Sequence, residues 1–295
     1  MGDVTAIASG GKATPGAPDA AMAWLMLAPA VVLMAVFYFY PLLQVLLISV
    51  AEPKPGLGNY AALADSASIH RVLLTTVRVC GLTTVTAVLL GYIVAYAMTG
   101  LSKRMERLIM ALVVLPLWIS ALVRAFAWVV LLRREGLIND ALEALGMTDA
   151  PVSMVYNTLG VVIGMVHYML PYAILPLYAN MRDIDRRLVM AARGLGASRG
   201  QAFRRVFLPL SIPGIVASGA LVFVYSLGFF IIPAILGGGK TLMVAEYIRL
   251  QIVELINWGL GTALSVVLAI AVFAVLGTVV RLVGARQLFG AGSHD

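Results

Sequence analysis

Long apolar runs separated by short polar segments dominate the order of residues in this chain. Six stretches are long enough to cross a bilayer as helices: 23–50, 72–98, 108–132, 155–181, 210–236 and 260–283. Backbone N–H and C=O groups in hydrocarbon have no water to pair with, so a spanning segment must satisfy them internally. Strands have the wrong length and pattern here, so the runs predict an all-α membrane protein. Pro29, Pro41, Pro116, Pro171, Pro176, Pro213 and Pro233 fall inside the runs and imply bends at packed positions. Residues 1–20, rich in Gly, Ala, Pro and Ser, predict a flexible tail, 21–290 a single bundle, and 291–295 a short tail end. The first run is too long for the core of a cleaved signal and lacks a basic flank, so it reads as a retained span.

Composition agrees with lipid as the main solvent: 61% of residues are hydrophobic and 12% charged over 295 positions. The net charge of +7 comes from short loops, not from an aromatic-studded soluble face, which speaks against nucleic acid. Thirteen of the 21 Lys and Arg residues fall on the side that holds both termini, six on the other side and two, Arg78 and Arg124, within spans. The positive-inside rule therefore puts both termini in the cytoplasm. Cys80 is the only cysteine, and the histidines at 70, 167 and 294 are scattered, so neither a metal cluster nor a His-based triad can be assembled. No catalytic residues are assigned.

One polar segment is patterned. Between the fourth and fifth runs, 182–209 reads RDIDRRLVMAARGLGASRGQAFRRVFLP. Asp185 can cap a short helix carrying Leu188, Ala191, Ala192 and Leu195, which Gly194 and Gly196 end or bend. Ser198 with Gln201 forms a capping box for a second helix, with Phe203, Val206 and Phe207 on one face, until Pro209 breaks it. Physics alone leaves two readings open: a surface loop whose arginines meet anionic membrane lipid, or a rigid element that docks into a soluble partner.

Ala191, Ala192, Gly196, Val206, Leu208 and Pro209 stand at the spacing of the EAA loop of binding-protein-dependent ABC importers, and the chain resembles the permease subunits of that family. LGNYAAL (57–63) and the stretches 115–140, 170–185, 233–248 and 257–268 are similar to the spermidine/putrescine branch. The resemblance implies a six-helix type I ABC importer transmembrane domain in the bacterial inner membrane. It also implies a coupling loop at 182–209, with Met190, Ala191, Ala192, Gly196, Ala197, Ser198, Phe203, Val206, Leu208 and Pro209 contacting or shaping the ATPase contact. Met190 stands where the family usually has Glu. The implied partners are an ATPase dimer that binds ATP and Mg, a second homologous permease and a periplasmic solute-binding protein. The implied solute is a polyamine or a related nitrogen-containing compound. On this reading the subunit carries no cofactor and does no chemistry itself.

GGGKT at 237–241 looks like the end of a P-loop, but Ala234 stands where that motif requires glycine, and the segment falls on the outer side. The segment 243–259 can form a helix near the outer surface. Arg78 is close enough to the outer end of its span to snorkel, whereas Arg124 lies deeper and reads equally as pathway or packing. With no Asp or Glu near the middle of a span, a cation in transit would rely on aromatic faces and carbonyls. Trp118, Trp128, Tyr92, Tyr168 and Tyr225 are the aromatic candidates, and Arg124 joins them as a pathway residue. His167 reads as a packed, hydrogen-bonded residue. An ion-coupled secondary transporter or channel is the competing class, and it would place ionisable residues mid-membrane.

Overall fold

The computed structural model describes residues 20–283, so the expected tail 1–20 apart from Ala20, the expected end 291–295 and the stretch 284–290 lie outside the described residues. The chain divides into two units, 1–47 and 48–295. In the first, α1 (Ala20–Met34) passes through a π turn (Ala35–Phe39) into α2 (Tyr40–Ala51). The π turn has a local cause. Pro41 has no N–H and its ring would collide with a carbonyl one turn back, and the wider turn, closed by the Tyr40 N–H on the Ala35 carbonyl, sits just ahead of it. The helix stays continuous across a residue that would otherwise break it. Its stretch 24–51 is apolar on every side.

In the second unit, α3 (Gly58–Asp65) leads into α4 (Ala67–Thr99), capped by Ser66, whose hydroxyl accepts from the Ile69 N–H. Next come α5 (Lys103–Val114), a 3₁₀ turn (Leu115–Trp118), α6 (Ala121–Leu132) and α7 (Leu137–Ala144). After them run α8 (Thr158–Arg182), α9 (Arg186–Gly194), α10 (Arg199–Ala202), a π turn (Phe203–Phe207) and α11 (Leu208–Leu227). The described part closes with α12 (Ile231–Leu236), α13 (Val244–Arg249), a third π turn (Leu250–Glu254) and α14 (Trp258–Val283). Among the described residues of the whole chain, five helical segments including 24–51 are long and apolar enough to span, or six if the bent pair Lys103–Trp118 and Ala121–Ala144 counts as one.

The core of this unit is the packing of α4, α8 and α11 against one another. Lipid tails are as apolar as leucine, so spans associate through close fit and not through water exclusion. On α4, Thr83, Ala87, Gly91 and Ala95 recur every fourth residue and are buried, so a stripe of small side chains faces α8. A Cβ on Gly91 would stand 3.1 Å from Cβ of Ala173. The backbones of α4 and α8 approach as closely as they do because nothing larger is there.

Two expected spans are corrected by the structure. The run 108–132 is not one straight helix: Lys103–Trp118 and the following Ala121–Ala144 meet at 100°. Pro116 withholds an N–H from the ladder, and Ile119 takes an extended conformation (φ −87, ψ 132) that no helix continues through. The run 210–236 is two helices, because α11 ends at Leu227, with Gly228 as its C-cap, and α12 starts at Ile231. The apolarity of α12 serves protein burial instead of a lipid crossing. Ile232 and Leu236 are buried, and a Cβ on Gly164 of α8 would clash with both, 2.9 and 2.6 Å away.

The end of the unit that holds the α4 and α8 N-termini is tied by polar contacts. The buried Thr76 hydroxyl accepts the Val244 N–H at 2.8 Å, joining α13 to α4, and the Thr158 and Thr241 hydroxyls lie 3.1 Å apart. GGGKT is thus a packed turn, with Gly238 and Gly239 at positive φ and Thr241 buried. Asn139, fully buried, donates to the carbonyls of Arg133 and Val152 and accepts the Val152 N–H, which pins the loop after α7.

Gly91→Leu should push α4 off α8. Overpacking of this kind costs about 1–3 kcal/mol, and the expected outcome is a lower thermal midpoint of the purified protein in detergent, with Gly91→Ala close to wild type.

Candidate functional site

The patterned loop folds as a helical knob. The Asp185 carboxylate accepts the Arg187 N–H at 2.8 Å and starts α9. The chain then turns at Gly196, φ +91, a conformation disfavoured for residues with a Cβ. Both halves of the capping box at α10 form: the Gln201 N–H to the Ser198 hydroxyl at 3.3 Å, and the Ser198 N–H to the Gln201 side chain at 2.9 Å. Such a cap is worth about 1 kcal/mol.

The break expected at Pro209 does not occur. The π turn Phe203–Phe207, closed by the Leu208 N–H on the Phe203 carbonyl, precedes Pro209 as its counterpart precedes Pro41. Helical structure therefore runs without interruption from Arg199 to Leu227, and the second helix of the knob is the first part of a span.

The two faces of the knob differ. Inward, Ile184, Val189, Phe203 and Phe207 pack on a core that includes Met98, Leu177 and Met181. Tyr96 of α4 meets Phe203 and Phe207 edge-on at 5.2 and 5.1 Å, and the Tyr92 hydroxyl lies 2.9 Å from that of Ser211. Outward, Leu188, Met190, Ala191 and Leu195 are exposed, Leu195 at 91%, beside the exposed Arg187 and Arg193. Gly196, Ser198 and Pro209 are also exposed, whereas Ala192, Ala197, Phe203, Val206 and Leu208 are half-buried. The face carrying Phe203 and Phe207 thus holds the knob to the bundle, and the α9 stripe is left for something else.

A second constellation lies between α6, α8 and α11. The Arg124 guanidinium carbon sits 3.9 Å from the ring centre of Tyr168, and one turn further along α6 the Trp128 indole N–H donates to His167 Nδ1 at 3.1 Å. From Tyr168 an aromatic row continues: Tyr168 and Tyr172 are 6.3 Å apart and stacked, Tyr172 and Tyr225 4.9 Å, and Phe229 lies 4.5 Å from Tyr168. Arg124 is 5% exposed, and its Nε and Nη1 meet no acceptor among the described residues. Its charge is eased by a π face, not by a carboxylate.

Four of the six pathway candidates, Arg124, Trp128, Tyr168 and Tyr225, therefore come together. Trp118 does not: it is 88% exposed at the end of the 3₁₀ turn. Tyr92 packs at the knob instead. Tyr172 and Phe229 complete the row, and the spacing that could have found them is i, i+4 from Tyr168 and Tyr225. His167 is hydrogen-bonded, as expected.

Residues 87–287 match the family model described as "Binding-protein-dependent transport system inner membrane component". The chain belongs to this family. Among curated relatives, the permease is similar to the spermidine/putrescine transport system permease protein PotB of Salmonella typhimurium, 34% identical over 214 residues, or 72% of this chain and 74% of the relative. PotB of Haemophilus influenzae is 36% identical over 200 residues, 68% of this chain and 70% of the relative. Among solved structures, a chain of a bacterial alginate ABC transporter in complex with a pentasaccharide-bound periplasmic protein aligns with TM-score 0.72 at 18% identity, over 90% of this permease and 94% of that chain. The fold is that of an ABC importer transmembrane domain, and the protein is a multi-pass inner-membrane permease. Both the knob and the aromatic row lie inside the matched residues.

The Arg124–Tyr168 contact should be measurable as a double-mutant cycle. Arg124→Met and Tyr168→Leu together should show a coupling of about 0.5–2 kcal/mol in mixed-micelle unfolding, the range of cation–π pairs, and Trp128→Phe should not share in it.

Proposed function

We propose that this permease forms half of the translocation pathway of an ATP-driven importer for a polyamine or a related small nitrogen-containing solute. The observation that carries the reading is the knob: a rigid, capped element whose apolar stripe of Leu188, Met190, Ala191 and Leu195 stands clear of the bundle while its other face is packed on three spans. An exposed apolar stripe flanked by arginines suits a groove in a soluble protein, and a continuous helix from Arg199 to Leu227 carries any displacement into the membrane. The partner is an ATPase dimer, which binds ATP and Mg itself. Its closure pulls α9, α11 follows as part of the same body, and the pathway switches from facing inward to facing outward. Hydrolysis resets it. Both termini and the knob lie on the cytoplasmic side, a second permease completes the pathway, and a periplasmic binding protein delivers the solute. This chain supplies no catalytic group.

The polyamine assignment draws on likeness to PotB and on the row of Tyr168, Tyr172, Tyr225 and Phe229. Aromatic faces bind ammonium groups without a fixed counter-charge, which suits spans with no Asp or Glu near their middles. Arg124, Trp128, Tyr168 and Tyr225 are the pathway residues of this reading.

A Cβ at Gly196 meets no neighbouring atom, so a substitution there strains only the backbone, by about 1–2 kcal/mol. Gly196→Asp should leave the permease folded in the membrane but release the ATPase on affinity purification and abolish ATP-dependent uptake. If the variant keeps its ATPase and transports normally, the coupling role is wrong. Proteoliposomes of the full importer with its binding protein should take up radiolabelled spermidine or putrescine, and Tyr172→Leu with Tyr225→Leu should lower that uptake about tenfold or more, the effect of losing about 1.4 kcal/mol or more of binding.

A further inference from the structure

A polar pocket outside the two sites above lies where four helix ends meet. Thr99 closes α4, Lys103 opens α5, Arg182 closes α8 and Arg186 opens α9, and all four line one cavity of about 370 Å³ together with Glu106 and Tyr178. Because the spans end there, the pocket stands at the boundary between hydrocarbon and water, on the same end of the bundle as the knob. Its wall is mixed, with the buried Met181 on the membrane side and the charged groups at the rim.

The charges do not cancel. Glu106 is the only carboxylate lining the pocket, and it is already engaged: the Lys103 ammonium lies 3.2 Å from it. Arg182 acts on both Glu106 and Tyr178 from a distance, and Arg186 acts on Tyr178, but neither arginine is in an ion pair among the described residues. Nearby, Asp185 is spent on the Arg187 N–H, and Asp183 caps α8 without lining the cavity. Two guanidinium groups thus face one cavity with no anion of their own. The start of α5, where Ser102 makes no side-chain cap, adds the positive end of a helix dipole.

We infer that this pocket binds a phosphate oxyanion, the phosphodiester of an anionic phospholipid or a free phosphate. Guanidinium forks match phosphate oxygens, and a pocket with an apolar floor and a basic rim fits a headgroup whose acyl chains continue along the spans. Occupied, the site would tie α5, α8 and the base of α9 together, so bilayer composition would reach the element that carries the knob. The inference requires that the spans cross a bilayer and is independent of which solute is carried.

The test uses the full chain purified with its partner subunits in nanodiscs of phosphatidylcholine alone or with phosphatidylglycerol added. Phosphatidylglycerol should raise the thermal midpoint, and Arg182→Gln with Arg186→Gln should lose that rise. The charge-keeping pair Arg182→Lys and Arg186→Lys should retain most of it, and Arg104→Gln, an exposed charge on α5 outside the pocket, should retain all of it. Inorganic phosphate titrated into phosphatidylcholine discs separates the sources. A rise that the Gln pair abolishes identifies free phosphate as a ligand, and no rise beside a positive lipid arm identifies the phospholipid. An equal phosphatidylglycerol rise in wild type and the Gln pair overturns the inference, as does no rise in wild type with either probe. Should the Gln pair fail to assemble, the single variants are compared by native mass spectrometry, where an unchanged count of retained phosphatidylglycerol in both has the same consequence.

Discussion

Hydrocarbon offers no hydrogen-bond partner to a peptide group, and most of this structure follows from how the chain answers that. The spans are helices because helices close their own ladders. Where a proline would open the ladder, the structure widens the turn ahead of it: the π turns at Ala35–Phe39 and Phe203–Phe207 each end two residues before a proline and keep the helix continuous. Where continuity is given up, at Ile119–Ser120 and at Gly228–Phe230, short local bonds close the helix ends: the Ile119 N–H donates to the Pro116 carbonyl and the Phe229 N–H to that of Ser226. Beyond the second break the short α12 packs inward, with Ile232 and Leu236 buried.

The same constraint links the fold to transport. Because Pro209 does not interrupt the helix, the knob and α11 are mechanically one piece, and aromatic contacts from Tyr92 and Tyr96 tie that piece to α4. The small stripe of Thr83, Ala87, Gly91 and Ala95 then ties α4 to α8, which carries Tyr168 and Tyr172. A displacement at α9 has a packed route to the aromatic row, with no flexible loop along it.

Much was legible in the residues. The capping residues Asp185 and Ser198, the glycine turn at 196 and the apolar stripe of Leu188, Ala191 and Leu195 were readable because caps, turns and helical faces depend on neighbours within about one turn of the chain. The apolar runs were readable too, since lipid selects for hydrophobicity over a fixed length. His167 could be named as a bonded residue, but not its donor, Trp128, which is 39 positions away.

By itself the sequence determined that the chain lives in a bilayer, that its backbone is helical and that 182–209 is a capped two-helix element, since each rests on composition or on contacts within a turn. Tertiary structure alone decided the rest: that Pro209 is bridged, that 108–132 folds back at 100°, that 231–236 is buried in protein, and that Arg124 rests on Tyr168. Hydrophobicity cannot tell a residue facing lipid from one facing another helix, because both surroundings are equally apolar. Only the geometry of packing separates them.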